Sequence, residues 1–290
     1  MLIPKVEFLD DIQATDAYQK QLNALYLKVY DKQYQQLTVL IDLNAHGTAV
    51  LDILDGGANL LFERVKRIHH TFEDDLALID IQLNSSTGQR LLEQLLALAI
   101  YENSNDIAGH AHPRSVCLWL FDQPITERFK HSIYLIGQAY GLGSNKRRYL
   151  RYWDPRVLAL LTHIWTAEQK LQVYQLKLPR MHYVDWNNTF KEIMFPLPNK
   201  VYPSDTKAAL EQLKPLPFRF SQQQWQLLEQ TEWINMIVRQ LKEQVRVTED
   251  IVNIVISQAL LIAKRQVTQQ QAVNNVVKSL VQMSDDRSRV

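Results

Sequence analysis

Cysteine is almost missing from this chain, and what little there is excludes a disulfide framework: the single Cys117 lies in the apolar run VCLWLF and has no internal partner. A reducing compartment fits that usage. Charge of one sign is missing too, since 32 basic residues against 31 acidic ones leave a formal charge of +1. No whole-chain field would hold the protein to nucleic acid or acidic lipid, so any basic site must be local. Apolar runs of membrane-spanning length are absent, and the opening MLIPKVEFLDD has neither the basic start nor the long apolar stretch of a secretion signal. These absences predict a cytoplasmic protein without a membrane partner. Internal repeats and low-complexity domains are lacking as well.

Chemistry-bearing sets are equally sparse. Histidines cluster only at His69 with His70 and at His110 with His112, and no cysteine or carboxylate stands near them at metal-ligand spacing. Serines occur without a nucleophile elbow, and Cys117 lies in an apolar strand-like run where a thiolate is disfavoured. The expectation is therefore no catalytic residue, no metal and no cofactor.

What is present is a core-forming composition: 46% of the 290 residues are hydrophobic. Helical spacing over Asp16 to Tyr34 predicts the first large helix. Leu37 to Asp42, Leu76 to Leu83, Ser115 to Phe121 and Arg147 to Trp153 read as strands. Helical patterns over Thr87 to Asn103 and Thr126 to Tyr140 fall between them, the second stopping at Gly141. This alternation predicts an α/β lobe with a mixed sheet over residues 1–195. Prolines then cluster at Pro196, Pro198, Pro203, Pro215 and Pro217, and strand-like runs cease after Phe220. A smaller all-α helical lobe is expected over 196–290. Its helix starts are marked by SQQQ from Ser221 and TQQQ from Thr268, each a hydroxyl cap with a glutamine three residues on, and by Thr248 as a simple cap. The stripe Leu227, Ile234, Val238, Leu241 and Val245 must pack on something, and the nearly all-apolar stretch Ile251 to Ala263 suits the central helix of a bundle.

The most informative stretch is RRYLRYWDPRVLALLTHIW, Arg147 to Trp165. Asp154 precedes Pro155, which suits a first helical position, so its carboxylate is expected to cap the N–H of Arg156 or Val157 as part of the scaffold. Around it lies the densest basic cluster of the chain, Lys146, Arg147, Arg148, Arg151 and Arg156, interleaved with Tyr149, Tyr152 and Trp153. Internal ion pairing is one reading of that cluster, and a patch for an acidic protein partner is the other. A nucleic-acid-binding module using residues 146–156 is an alternative that counterion release from so short a patch supports poorly, and no nucleic acid is expected. A second alternative, a short-chain-dehydrogenase-like enzyme using NAD(P), is suggested by GQAYGLG, Gly137 to Gly143. These glycines, however, close a helix and lead into a strand, the reverse of a pyrophosphate loop.

In order along the chain, LTVLIDLNAHGTAVLDIL (Leu37 to Leu54), VCLWLFDQPITERFKHSIYLI (Val116 to Ile136), LRYWDPRVLALL (Leu150 to Leu161) and PFRFSQQQWQLLEQTEWINMIVRQLKE (Pro217 to Glu243) together resemble the adaptor chaperones of type VI secretion that carry domain of unknown function 4123. The structural motif of that resemblance is Tyr152, Trp153, Asp154, Pro155 and Arg156. Leu43 and Asn44 depart from the small residue usual after the first strand, and the family's frequent His-Leu-Arg triplet is missing. The resemblance implies a non-catalytic loader that holds the N-terminal region of a toxic effector in the bacterial cytosol and delivers it to the spike protein of the tube, without a cofactor. Arg147, Arg151 and Arg156, with the loop aromatics Tyr183 and Trp186, are the expected partner-binding residues.

Overall fold

Strands and helices form where side-chain periodicity and capping residues place them, and the computed structural model describes residues 8–43, 50, 53–54, 61–64, 76–104, 114–143, 147–175, 181–193, 218–242, 244–245 and 247–287. Helices α1 (Phe8–Gln13) and α2 (Asp16–Lys32) lead into β1 (Gln36–Asp42), β2 (Leu61–Arg64) and β3 (Leu76–Gln82). Then come α3 (Ser86–Ser104), β4 (Val116–Phe121), α4 (Glu127–Gly137), β5 (Gln138–Gly141) and β6 (Arg147–Tyr149). Next are α5 (Pro155–Ile164), α6 (Ala167–Gln175), β7 (Met181–Val184), β8 (Phe190–Glu192) and β9 (Phe218–Phe220). Four helices close the described chain: α7 (Gln222–Glu229), α8 (Thr231–Lys242), α9 (Glu249–Ala263) and α10 (Gln269–Arg287).

The protein has the α/β fold with a helical C-terminal lobe that its periodicity predicts. Among the described residues the main sheet runs β2, β3, β1, β4, β7, β8, and every pairing in it is antiparallel. The mixed pairing lies in a second, small sheet, where β5 is antiparallel to β6 and parallel to β9. Helix α3 still makes a crossover between two strands of the same direction, β3 and β4, because both are antiparallel to the β1 that lies between them. Sequence alternation records such a crossover but is silent about the strand inserted within it.

Both faces of the main sheet are buried. Leu37, Val39 and Ile41 of β1 join Tyr18, Leu25, Leu92 and Leu96 of α2 and α3 in one core. Leu40 turns to the other side, with Leu118, Leu120, Ile133, Trp153 and Leu158. The register slips between Leu40 and Ile41, so that Cys117 is an extra residue in β4 and shares its face with Leu118, as a β-bulge requires. At the other end of this layer a Cβ on Gly88, in the first turn of α3, would collide with the Gln82 carbonyl at the end of β3. Only glycine permits that close approach.

The predicted caps form. Ser221 and Gln224 make both halves of a capping box, Thr268 and Gln271 exchange the same two bonds, and Thr248 accepts the Ile251 N–H. Three boundaries differ from expectation. Helix α4 ends at Gly137, and β5 (Gln138–Gly141) takes up residues 138–140 where helix was expected. Strand β6 ends at Tyr149, the Leu150 N–H adds one bond to the Gly137 carbonyl in the same register, and the Asp154 N–H then closes a turn on the Arg151 carbonyl where strand was expected. The stripe of the helical lobe is divided between α7 and α8, and Val245 is exposed beyond the end of α8. A third core of Leu227, Ile234, Val238, Leu241, Val252 and Val255 fills the helical lobe, and Leu160 of α5 is inserted into it. The lobes therefore share a helix. Among the described residues no helix is long and apolar enough to cross a membrane.

Candidate functional site

Two neighbouring regions hold the residues singled out by sequence: the corner between β6 and α5, and a cleft where the β7–β8 hairpin meets the helical lobe. In the corner Asp154 has extended backbone and caps α5, its Oδ1 accepting the Arg156 N–H at 3.0 Å. The Arg156 guanidinium closes on the same carboxylate with two more bonds, Nε to Oδ1 at 3.0 Å and a terminal nitrogen to Oδ2 at 2.7 Å. Burial would raise the Asp154 pKa, but the Arg156 hydrogen bonds and charge, helped by Arg151, hold it below the ordinary carboxylate value. The acid stays ionised and fully engaged.

One turn earlier, Arg151 reaches across to Asp42 at the end of β1, at 2.5 Å, and the Trp153 indole N–H donates to the same oxygen at 3.3 Å. Asp42 and Arg151 are 109 residues apart in the chain. Tyr152 is buried and its hydroxyl donates to the Ile133 carbonyl of α4. The corner thus ties β1, α4 and α5 together.

A third buried carboxylate, Glu102 of α3, anchors the start of β4. It accepts the Ser115 N–H at 3.0 and 3.1 Å and the Ser115 hydroxyl. Burial pushes its pKa up to about 7, against the opposing pull of the Ser115 bonds and of Arg114. The Cys117 thiol is pushed well above its usual value by burial and by Asp42, Asp154 and Glu102. It is a packed thiol, as its apolar run implies.

The cleft has a volume of about 450 Å³. Thr162 and His163 of α5, Lys170 of α6, Tyr183 and Trp186 of the hairpin, Lys191 of β8 and the first residues of α9 line it. Hydrogen bonds fix its walls: Trp186 donates to Asn235 of α8 at 2.6 Å, and Asn187 donates to the Val247 carbonyl at 3.0 Å. Asp185 shapes the hairpin turn by accepting the N–H groups of Asn187 and Thr189, both at 2.9 Å. His163 stacks on Trp186 with ring centroids 6.4 Å apart.

The residues expected to bind a partner are placed unequally. Arg156 is buried on Asp154, and Arg151, with 32% of its side chain exposed, is engaged by Asp42, so both guanidiniums are held by internal acids where an outward patch was expected. Arg147 pairs through its backbone with Tyr140, and its side chain lies outside those described. Lys146, the histidine pairs at 69–70 and 110–112, and the proline cluster from 196 to 217 also lie outside the described residues. Exposed Arg148 sits over the Trp225 ring at 4.9 Å and 3.4 Å from Glu229. Tyr183 is buried and Trp186 half-buried, and these two do come together, in the cleft. The glycines from 137 to 143 run from the end of α4 through β5, with strand β6 following. Among the described residues no group of three or more histidine, cysteine or acidic side chains could hold a metal.

Sequence reasoning missed Asp42, Glu102, His163, Lys170 and Lys191. For Asp42 a signal existed, an acid ending an apolar strand with no local partner; nothing local marks the other four. No family model matches the chain, and neither the curated proteins nor the solved structures contain a match to it.

Proposed function

We propose that the chain is a non-catalytic adaptor chaperone, which binds the N-terminal region of a type VI secretion effector in the bacterial cytosol and loads it onto the spike protein of the secretion tube. One observation carries the reading. The segment with the strongest likeness to that family, Leu150 to Leu161, meets a second similar segment, Leu37 to Leu54, in a single joint, where Arg151 and Trp153 both hold Asp42. A likeness spread over distant stretches is what a shared framework produces when those stretches build one structural unit. The third segment, from Val116, supplies the strand next to β1 in the same joint.

In this reading the Asp-Pro-Arg motif is architectural and recognition falls to neighbouring surfaces. Reversing the charge of Arg156 would disrupt a buried pair, and reversing that of Arg151 would set an acid against the buried Asp42, so loss of binding in those variants would report on folding. The informative test leaves the corner intact. The full chain, co-expressed with the N-terminal region of a type VI effector encoded beside it and with the cognate spike protein, is expected to elute with both from a sizing column. An effector that elutes alone in the presence of the folded chain refutes the reading.

A further inference from the structure

The cleft beside the β7–β8 hairpin has the attributes of a built recognition site. It lies at a junction of lobes, it has a pre-positioned aromatic wall, and its charges are unevenly matched. On the acidic side, Asp185 is engaged by two backbone amides, Glu192 by Lys28 at 2.5 Å, and Glu249 stands exposed in the first turn of α9. On the basic side, the half-buried Lys170 has no ion pair among the described residues. Lys191 faces Asp185 at 3.7 Å, beyond hydrogen-bonding distance, with about half its side chain exposed. Burial lowers the pKa of His163; Glu249 and Asn253 oppose this, while Lys170 and Lys191 both add to it. The fields of the two lysines therefore meet at one imidazole, and that imidazole is stacked on Trp186.

We propose that this cleft seats an acidic side chain of a client peptide, its carboxylate held between Lys170 and Lys191 and an adjoining apolar side chain laid on the Trp186 ring. A carboxylate supplies the negative charge that Lys170 lacks among the described residues, and folding has already removed part of the water around that half-buried ammonium, which lowers the desolvation cost of binding there. Trp186 is anchored by its N–H, so its ring offers contact area without a further loss of side-chain freedom. The choice of a peptide as occupant rests on the adaptor reading.

The probe is a fluorescein-labelled peptide of glutamate pairs interleaved with phenylalanine, compared by polarisation with its glutamine counterpart on the full chain. The acidic peptide is expected to bind saturably and about tenfold or more tighter than the glutamine one, with affinity falling as salt rises. The double variant K170E/K191E should lose that preference; because K191E sets a second acid against the buried Asp185, the uncharged K170Q/K191Q, which should lose the preference too, is expected to keep a melting temperature closer to the parent's. W186A should weaken both peptides, and W186F, which keeps a ring but loses the anchoring N–H, should weaken them less. Equal binding of the two peptides, or an unchanged preference in K170E/K191E, overturns the proposal. Free glutamate that competes as well as the peptide overturns the choice of occupant. Co-elution with the effector separates the two readings. If K170E/K191E still carries the effector, the cleft proposal fails and the adaptor reading stands. If the acidic peptide binds but no effector is retained, the adaptor reading fails alone.

Discussion

Replacing Asp154 by alanine tests whether that acid is a fastener. Two losses follow from the structure. The α5 amide of Arg156 loses its capping acceptor, at a cost of about 1 kcal/mol. Arg156, only 8% exposed, loses both guanidinium bonds to the carboxylate while remaining buried, and breaking a buried pair in this way typically costs about 3–5 kcal/mol. The two overlap because they share one carboxylate, so D154A should lose roughly 4–5 kcal/mol, much of the stability of an ordinary domain. D154N keeps a carbonyl oxygen for the amide and should lose less. In D154A/R156M no charge is stranded and an apolar chain fills the space, so the double variant should recover to within about 1–2 kcal/mol of the parent. Urea unfolding followed by both far-ultraviolet circular dichroism and tryptophan fluorescence gives these differences, provided the two transitions coincide. A D154A loss below about 1 kcal/mol, or a double variant as unstable as D154A, refutes the fastener role.

Three further outcomes are expected. Glu102 has its folded pKa raised to about 7 from an ordinary 4.5, so the native state holds the proton more tightly. Its contribution to stability is greatest below the ordinary value and falls as pH rises through the folded one, by roughly 3 kcal/mol. The melting temperature of the parent should therefore fall relative to that of E102Q between about pH 5 and 8, and parallel profiles refute this; His163, lowered by burial, drives the opposite trend in both proteins and cancels in the difference. Cys117 should resist a thiol reagent in the native protein and react at the rate of opening in increasing urea, and immediate labelling would contradict its packing. Despite the better helix propensity of alanine, G88A should lose about 1–3 kcal/mol in urea unfolding because its Cβ meets the Gln82 carbonyl, and a gain in stability would show that the approach relaxes freely.

Local features were legible in the amino-acid sequence. Asp154 ahead of Pro155, the Ser221 and Thr268 boxes, the helices α2 and α3 and the strands β1, β3 and β4 all follow from effects that act within a few residues: capping bonds, backbone restriction and the side-chain period of each element. The basic cluster shows where that reach ends. Arg148, Arg151 and Arg156 stand within nine positions of one another, yet one lies over Trp225, one holds Asp42 and one closes on Asp154. Their chemistry is local, whereas their direction depends on where β1 and α7 come to rest.

The sequence by itself determined the caps, the periods and the division into an α/β part and a helical part. Only the tertiary structure decided that β1 enters between β3 and β4, that Asp42 meets Arg151, and that Lys170, Lys191 and Trp186 share a cleft. The physical reason is separation along the chain. A cap is closed by the residues beside it, whereas a pair 109 positions apart exists only after the sheet register and the packing of three cores have brought its two halves together.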